Sequence, residues 1–338
     1  MNISPGARWP HGRAFLSRIR WVAFGPAVLL LACGGGEGPT APDLTSNLRD
    51  APPSTRRTVA APALTFRVLR VKAPTGGGGD AVVVADSSGA RPWHALLDAG
   101  GDSVAAVYLR EAGIDTLDLM VLTHAHQDHY GGMGDVFDEA HVVRFVYNGQ
   151  VRSLASYQAV LDAAHAMADT VLIPTEALRI PMSSSAAVTI LPPLDTWLAV
   201  DTDDGEEINE GSLAVRVSYA DFSFLSTGDA EHRANQRFAA AFPAEIRAAV
   251  LKVGHHGSSD ATSASWLEAV DPQAAVVSAN GTTHPHGSAL ELLRARTADL
   301  FCTPNHGTVS VRVGASGDWD VRTAQDPRKR CTRGTEAF

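Results

Sequence analysis

Apolar and polar residues alternate through Leu64-Thr65-Phe66-Arg67-Val68-Leu69-Arg70-Val71, which predicts a half-exposed strand. The glycine run at 76–79 and the turn Asp86-Ser87-Ser88-Gly89 bracket a second strand at 80–85, and 94–98 reads as a third. Helical spacing begins at 103–112 and stops at Gly113. An almost wholly apolar run at 117–122 follows and reads as a buried strand. Leu154, Tyr157, Leu161 and Ala164 share one face of an amphipathic helix at 153–168. Further strands are predicted at 188–191, 212–219, 222–226, 249–253, 274–278 and 309–313, and further helices at 231–241, 263–269 and 288–296. No repeat of solenoid period is present. Two βαβ-like halves of this kind suit a sandwich of two mixed sheets with helices outside.

The N-terminal segment follows a different pattern. Arg8, Arg13, Arg18 and Arg20 precede an apolar stretch at 21–32, the layout of a secretory signal. The stretch ends in Leu30-Leu31-Ala32-Cys33-Gly34, which resembles a bacterial lipobox, so residues 1–33 are expected to be a lipoprotein signal that leaves a lipidated Cys33. Residues 34–62, rich in Gly, Pro, Ser and Thr, read as a flexible linker. Residues 63–323 then form one domain, and 324–338 a C-terminal tail.

This organisation changes the meaning of charge and cysteine content. The 338-residue chain has a formal net charge of −9, and loss of the signal arginines makes it more acidic still. That excludes broad, non-specific nucleic-acid binding, which rests on basic surface, but not a local basic groove. With Cys33 lipidated, Cys302 and Cys331 remain as an even pair in an oxidising compartment. They are expected to bridge; two free thiols are the alternative.

The chemistry is concentrated in Thr123-His124-Ala125-His126-Gln127-Asp128-His129, directly after a predicted strand. Imidazole nitrogens and carboxylate oxygens are the donors that Zn²⁺ and its first-row neighbours accept. His124 and His126, at period two, point the same way from an extended chain. Asp128 and His129 follow after the chain turns and can face a second ion beside the first.

Four more clusters fall at predicted strand ends. Asp229, in Ser226-Thr227-Gly228-Asp229, can bridge two ions with its two oxygens, or serve only as a turn residue. In Leu251-Lys252-Val253-Gly254-His255-His256-Gly257-Ser258, neighbouring imidazoles point apart, so one is expected to ligate and the other to face substrate. His255 takes the ligand role and His256 the substrate role, with the reverse order open. Pro285 stiffens the loop carrying His284, a substrate contact or extra ligand, while His286 reads as structural. Asn209 and Ser212 are turn residues or position the metal loop. His141 and His165 read as ordinary strand or helix residues.

The heptapeptide resembles the signature of the metallo-β-lactamase superfamily, in which the first two His bind one metal and the Asp and last His the other. With N-E-G-S-L-A-V, S-T-G-D, L-K-V-G-H-H-G-S, H-P-H and N-H-G-T-V-S-V, the pattern from about Leu64 to Val313 is similar to the hydrolase domain of ComEC-type DNA-uptake proteins. The resemblance implies an α/β (α+β) fold, a four-layer αββα sandwich in a single domain. It implies two divalent metal ions, Zn²⁺ or Mn²⁺, held by His124, His126, Asp128, His129, Asp229 and His255. Asp128, His256 and His284 are then the catalytic side chains. The multi-span segments of those proteins have no counterpart here, so transport is not implied. A dedicated middle His is also missing, which points away from antibiotic hydrolysis. The expected function is a secreted metallohydrolase, lipid-anchored at the cell envelope through Cys33, acting on a nucleic-acid or phosphorylcholine-like phosphodiester. The alternatives are hydrolysis of a carboxylic ester, lactone or lactam, or a non-catalytic metal-binding module. No protein partner is indicated.

Overall fold

The computed structural model describes residues 59–72, 78–193 and 201–333. The expected signal, Cys33 and nearly all of the linker lie outside the described residues. Val59, inside the expected linker, is already packed: it is buried, and its N–H donates to Asp320 Oδ2 at 2.9 Å.

Two sheets form the centre of the molecule. The first runs Trp319–Thr323, Val309–Val313, Leu64–Val68, Val82–Asp86, Trp93–Leu97, Leu119–Leu122, His141–Tyr147, Thr116–Leu117, with Ala168–Leu172 also pairing with His141–Tyr147. The second runs Asp299–Cys302, Ala274–Val277, Val250–Lys252, Phe222–Ser226, Ala214–Tyr219, Ala186–Leu191, Leu178–Pro181. Each mixes antiparallel hairpins with parallel crossovers: Leu64 pairs with both Val313 and Asp86, whereas Leu225 and Leu251 pair in parallel.

Strand periodicity sorts the side chains into layers. Leu64, Phe66, Val82 and Val84 of the first sheet meet Val215, Val217 and Phe224 of the second in a core between the sheets. The Phe66 and Phe224 rings stack across that interface with centroids 4.4 Å apart. The opposite face of the first sheet, with Val83, Leu96 and Met120, is covered by helices Val104–Ala112, Met133–Glu139 and Ala155–Met167. Leu225, Leu251 and Ala275 on the outer face of the second sheet are covered by His232–Ala241, Ala264–Val270 and Gly287–Arg296. The result is the expected αββα sandwich. Among the described residues no helix is long and apolar enough to cross a membrane.

Two details tie the C-terminal segment to this frame. Cys302 and Cys331 are bridged, across a sequence separation of 29. Thr332 N–H donates to Asn305 Oδ1 at 3.2 Å beside the bridge.

Candidate metal centre

The expected ligands other than His255 come together at one edge of the sandwich, where strands of both sheets end. Thr123 and His124 follow Leu119–Leu122, and Asp98 follows the parallel neighbour Trp93–Leu97. Asp229 follows Phe222–Ser226 and His256 follows Val250–Lys252, which are parallel neighbours in the second sheet. Leu213 N–H donates to Thr123 O at 2.9 Å and so joins the two sheets at this edge. Beyond the extended His126 the chain turns into the short helix Gln127–Tyr130, which swings Asp128 and His129 to the other side of the cluster. Gly228 has φ +54, and a Cβ there would lie 2.6 Å from Thr123 Oγ1. Only glycine fits this approach, which lets the Asp229 N–H reach Ser212 Oγ at 3.1 Å.

Hydrogen bonds behind the imidazoles settle which ring nitrogens face inward. Thr123 Oγ1 donates to Asp98 Oδ2 at 2.8 Å, so it can only accept from His124 Nδ1, 3.1 Å away. His129 Nδ1 lies 2.9 Å from the same Asp98 oxygen, and His256 Nδ1 lies 3.0 Å from the carbonyl of Ser278. All three therefore carry a proton on Nδ1, and with a metal bound each would offer its Nε2 lone pair to the interior. Those lone pairs meet other acceptors. His129 Nε2, His256 Nε2 and His124 Nε2 lie 3.2, 3.4 and 3.8 Å from Asp229 Oδ2. His256 Nε2 is also 3.0 Å from Asp128 Oδ2, and His124 Nε2 is 3.1 Å from His126 Nδ1. His129 Nε2 and Asp229 Oδ1 are buried without a hydrogen-bond partner among the described residues. Acceptors converging in a buried space need a cation, so the donor set fits bound metal.

The electrostatics carry the same signature. Burial opposes protonation of His129, but Asp229 and Asp98 outweigh it and hold its pKa well above the ordinary imidazole value. Burial would raise Asp229; His129 and His256 instead hold it well below the carboxylate range. Asp128 is lowered against burial by its contact with His256 and the charge of His129. His124, buried and next to His129, is pushed well below its usual value. A proton and a metal ion compete for the same lone pairs in such a cluster.

The structure places the adjacent pair in the order that the sequence left open as the alternative. His256, not His255, is in the cluster. The chain leaves the strand after Lys252, and both residues adopt left-handed φ values, 42° for His255 and 52° for His256. This tight turn, absent from a strand-based expectation, sends the second imidazole inward. His255 instead lies with Nδ1 2.9 Å from Glu231 Oε1, an oxygen that also accepts from Asn209 Nδ2 at 2.8 Å. His284 stands outside the cluster, its ring 5.4 Å from His255 and 6.1 Å from His256 and stacked on His286 at 4.7 Å. Burial, then His256 and His255, push its pKa down to about 4. His141 is exposed at the start of its strand, with Asp169 at 3.1 Å, and His165 lies on the exposed side of Ala155–Met167.

Several participants carried no motif. Asp98 orients His129 and, through Thr123, His124. Glu231 lies against His255, and Asn209, which a motif did contain, donates to the same Glu231 oxygen. Asp98 did carry one signal, an acidic residue closing an apolar strand ahead of Ala99-Gly100-Gly101, as Asp229 closes another. Beside the cluster opens a cavity of about 900 Å³, lined by His126, Glu206, Asn209, Glu210, Glu231, His232, Arg233, His255 and Asp260 among others. Glu210 accepts the N–H groups of Arg233 and Ala234 at 3.0 and 2.5 Å, capping the helix that forms this wall.

An αββα sandwich with a buried His and Asp donor cluster where its two sheets end defines the class. The chain belongs to the metallo-beta-lactamase superfamily, whose family model matches residues 74–281; its members are generally metal-dependent hydrolases. It is 31% identical over 216 residues to ComE operon protein 3 of Bacillus subtilis, covering 63% of this chain and 26% of that protein. It is 28% identical over 236 residues to competence protein ComA of Neisseria gonorrhoeae, covering 66% of this chain and 30% of that one. The matches thus span less than a third of either relative's length. Among solved structures, the metallo-beta-lactamase fold protein YhfI from Bacillus subtilis aligns with TM-score 0.44 and 11% identity, over 71% of this chain and 95% of that one.

Proposed function

We propose that this chain is an exported, two-metal phosphodiesterase. The observation that carries this reading is the convergence of the Nε2 atoms of His124, His129 and His256 on the oxygens of Asp128 and Asp229, beside an open cavity. In this reading His124, His126 and Asp229 hold one ion, and Asp128, His129, Asp229 and His256 hold the other. Two divalent ions, Zn²⁺ or Mn²⁺, when bound there would supply Lewis-acid polarisation and a water of near-neutral pKa.

The remaining steps belong to the protein. Asp98 fixes the His129 tautomer and Ser278 that of His256, so the ligand set needs little reorganisation. Asp229 is held by Ser212 and by the bend at Gly228. His255, steadied by Glu231, faces the cavity beside Arg233 and His232, where side-chain donors can orient phosphoryl oxygens and the leaving group. The acidic wall of Glu206, Glu210 and Glu231 disfavours long polyanions, so a small phosphodiester is the first choice and single-stranded DNA the second. Export and anchoring through Cys33 place the enzyme at the cell envelope, on its periplasmic face or outer membrane.

The test is a side-by-side assay of bis-p-nitrophenyl phosphate, single-stranded DNA, a lactone and nitrocefin with metal-loaded protein. Turnover of a phosphodiester is expected. Efficient cleavage of the lactone or nitrocefin with both phosphodiesters untouched overturns the reading.

A further inference from the structure

Behind His256 lies a buried charge pair with no part in the ligand set. Lys252 ends the strand Val250–Lys252, and alternation explains its placement: Val250 faces the core between the sheets, Leu251 the outer layer, and Lys252 returns inward. Its side chain is fully buried and its Nζ donates to Asp80 Oδ2. Burial pushes the ammonium down to about 7. Asp80 Oδ1 is buried with no hydrogen-bond partner among the described residues and lies 3.5 Å from His256 Nδ1. Asp80, Asp229 and His256 also bring donor atoms within 4.8 Å of one another, so Asp80 is close enough to compete as a ligand. A salt bridge at full burial is weak evidence for stability, because well-packed apolar residues often do as well. Its position against one metal-facing imidazole suggests a different role.

We infer that Lys252 and Asp80 form a positioning pair for the second metal site. Lys252 ties up one Asp80 oxygen and keeps that carboxylate out of the ligand set. The Ser278 carbonyl accepts the Nδ1–H of His256, and the other Asp80 oxygen, 3.5 Å away and not hydrogen-bonded to it, places a negative charge behind that N–H, which keeps the proton on Nδ1 and leaves Nε2 for the ion. This rests on His256 being a ligand.

The experiment compares the full chain with Asp80→Asn, Asp80→Asn/Lys252→Met and His256→Ala. Each is stripped of metal and titrated with Co²⁺ alone, with the absorbance of the bound ion as readout and near-UV circular dichroism as the check on folding. Asp80→Asn and the double variant are expected to fold and to bind the first ion normally, but the second about 10–100-fold more weakly, the range for residues behind a ligand. Two ions at wild-type affinity in either folded variant overturn the inference, as does equal weakening of both ions. Failure of both variants to fold also overturns it, by assigning the pair to the core. If His256→Ala itself keeps two ions, the ligand reading fails rather than the role of the pair.

Discussion

Asp98 Oδ2 lies 2.9 Å from His129 Nδ1 and accepts Thr123 Oγ1 at 2.8 Å, so one buried carboxylate oxygen orders two imidazoles. Its partner oxygen accepts the Thr123 N–H at 2.8 Å, which fixes the carboxylate in turn. Asp98→Asn keeps the shape but places an amide donor or a weaker acceptor behind His129. We expect metal affinity to fall about 10–100-fold, read by competition with a chromogenic chelator. Unchanged affinity in the folded variant would show that Asp98 has no part in presenting the ligands.

The adjacent imidazoles have separable roles. His256→Ala should lose one bound ion, while His255→Ala should keep both and lose turnover, measured by metal analysis alongside hydrolysis of bis-p-nitrophenyl phosphate. Retention of both ions by His256→Ala and loss of one by His255→Ala would restore the order expected from the strand pattern. That pattern misled for a physical reason. Strand alternation governs neighbours only while the chain stays extended, and here two successive positive φ values follow Gly254.

Gly228→Ala should be costly out of proportion to one methyl group. The φ of +54 disfavours any side chain, and the new Cβ would meet Thr123 Oγ1 at 2.6 Å. A loss of more than about 1 kcal/mol is expected from the backbone conformation alone, read by urea denaturation, with a lowered metal content because Asp229 is the next residue. Wild-type stability would mean that the loop has room to relax.

The Cys302–Cys331 bridge should matter to stability and little to chemistry. It closes a loop with a sequence separation of 29 residues. The chain-entropy relation gives about 3–4 kcal/mol for a loop of that size. Cys331→Ser should lower the denaturation midpoint accordingly while phosphodiester turnover at low temperature is kept.

His284 predicts a pH dependence. Its pKa is lowered from 6.5 to about 4 in the folded protein, chiefly by burial. Between those values the unfolded chain binds a proton that the folded chain does not, so this residue makes stability fall as pH falls from 6.5 towards 4. His284→Gln should flatten that part of the profile for the metal-free protein. A profile unchanged by the substitution would mean that other groups set it.

Much of the architecture was legible because its signals are local. The strand at Val309–Val313 and the helices at 103–112 and 153–168 were readable from periodicity, caps and the stop at Gly113. The strand His141–Tyr147 was missed because Arg144 breaks its apolar run and no alternation marks it, and Asp299–Cys302 because it is short. Gly205–Glu210, a helix of little more than one turn, has too few residues to show a period. The site divides in the same way. His124 to His129 announce themselves within one heptapeptide, whereas Asp80 and Lys252 meet across 172 positions. Nothing in a single lysine after two apolar residues shows that it will be buried against an aspartate from the loop that leads into the other sheet's strand Val82–Asp86.

The joining of the two sheets at Thr123 and Leu213 also bears on how the protein acquires its metal. One half of the donor set is carried by the first sheet and the other half, Asp229 and His256, by the second. An ion held between them would bridge two layers that their shared core already docks. Free metal would then stabilise the assembled sandwich by mass action, because only the folded chain brings both halves of the donor set together. A fragment ending before Asp229 would keep the whole heptapeptide and yet be a poor chelator.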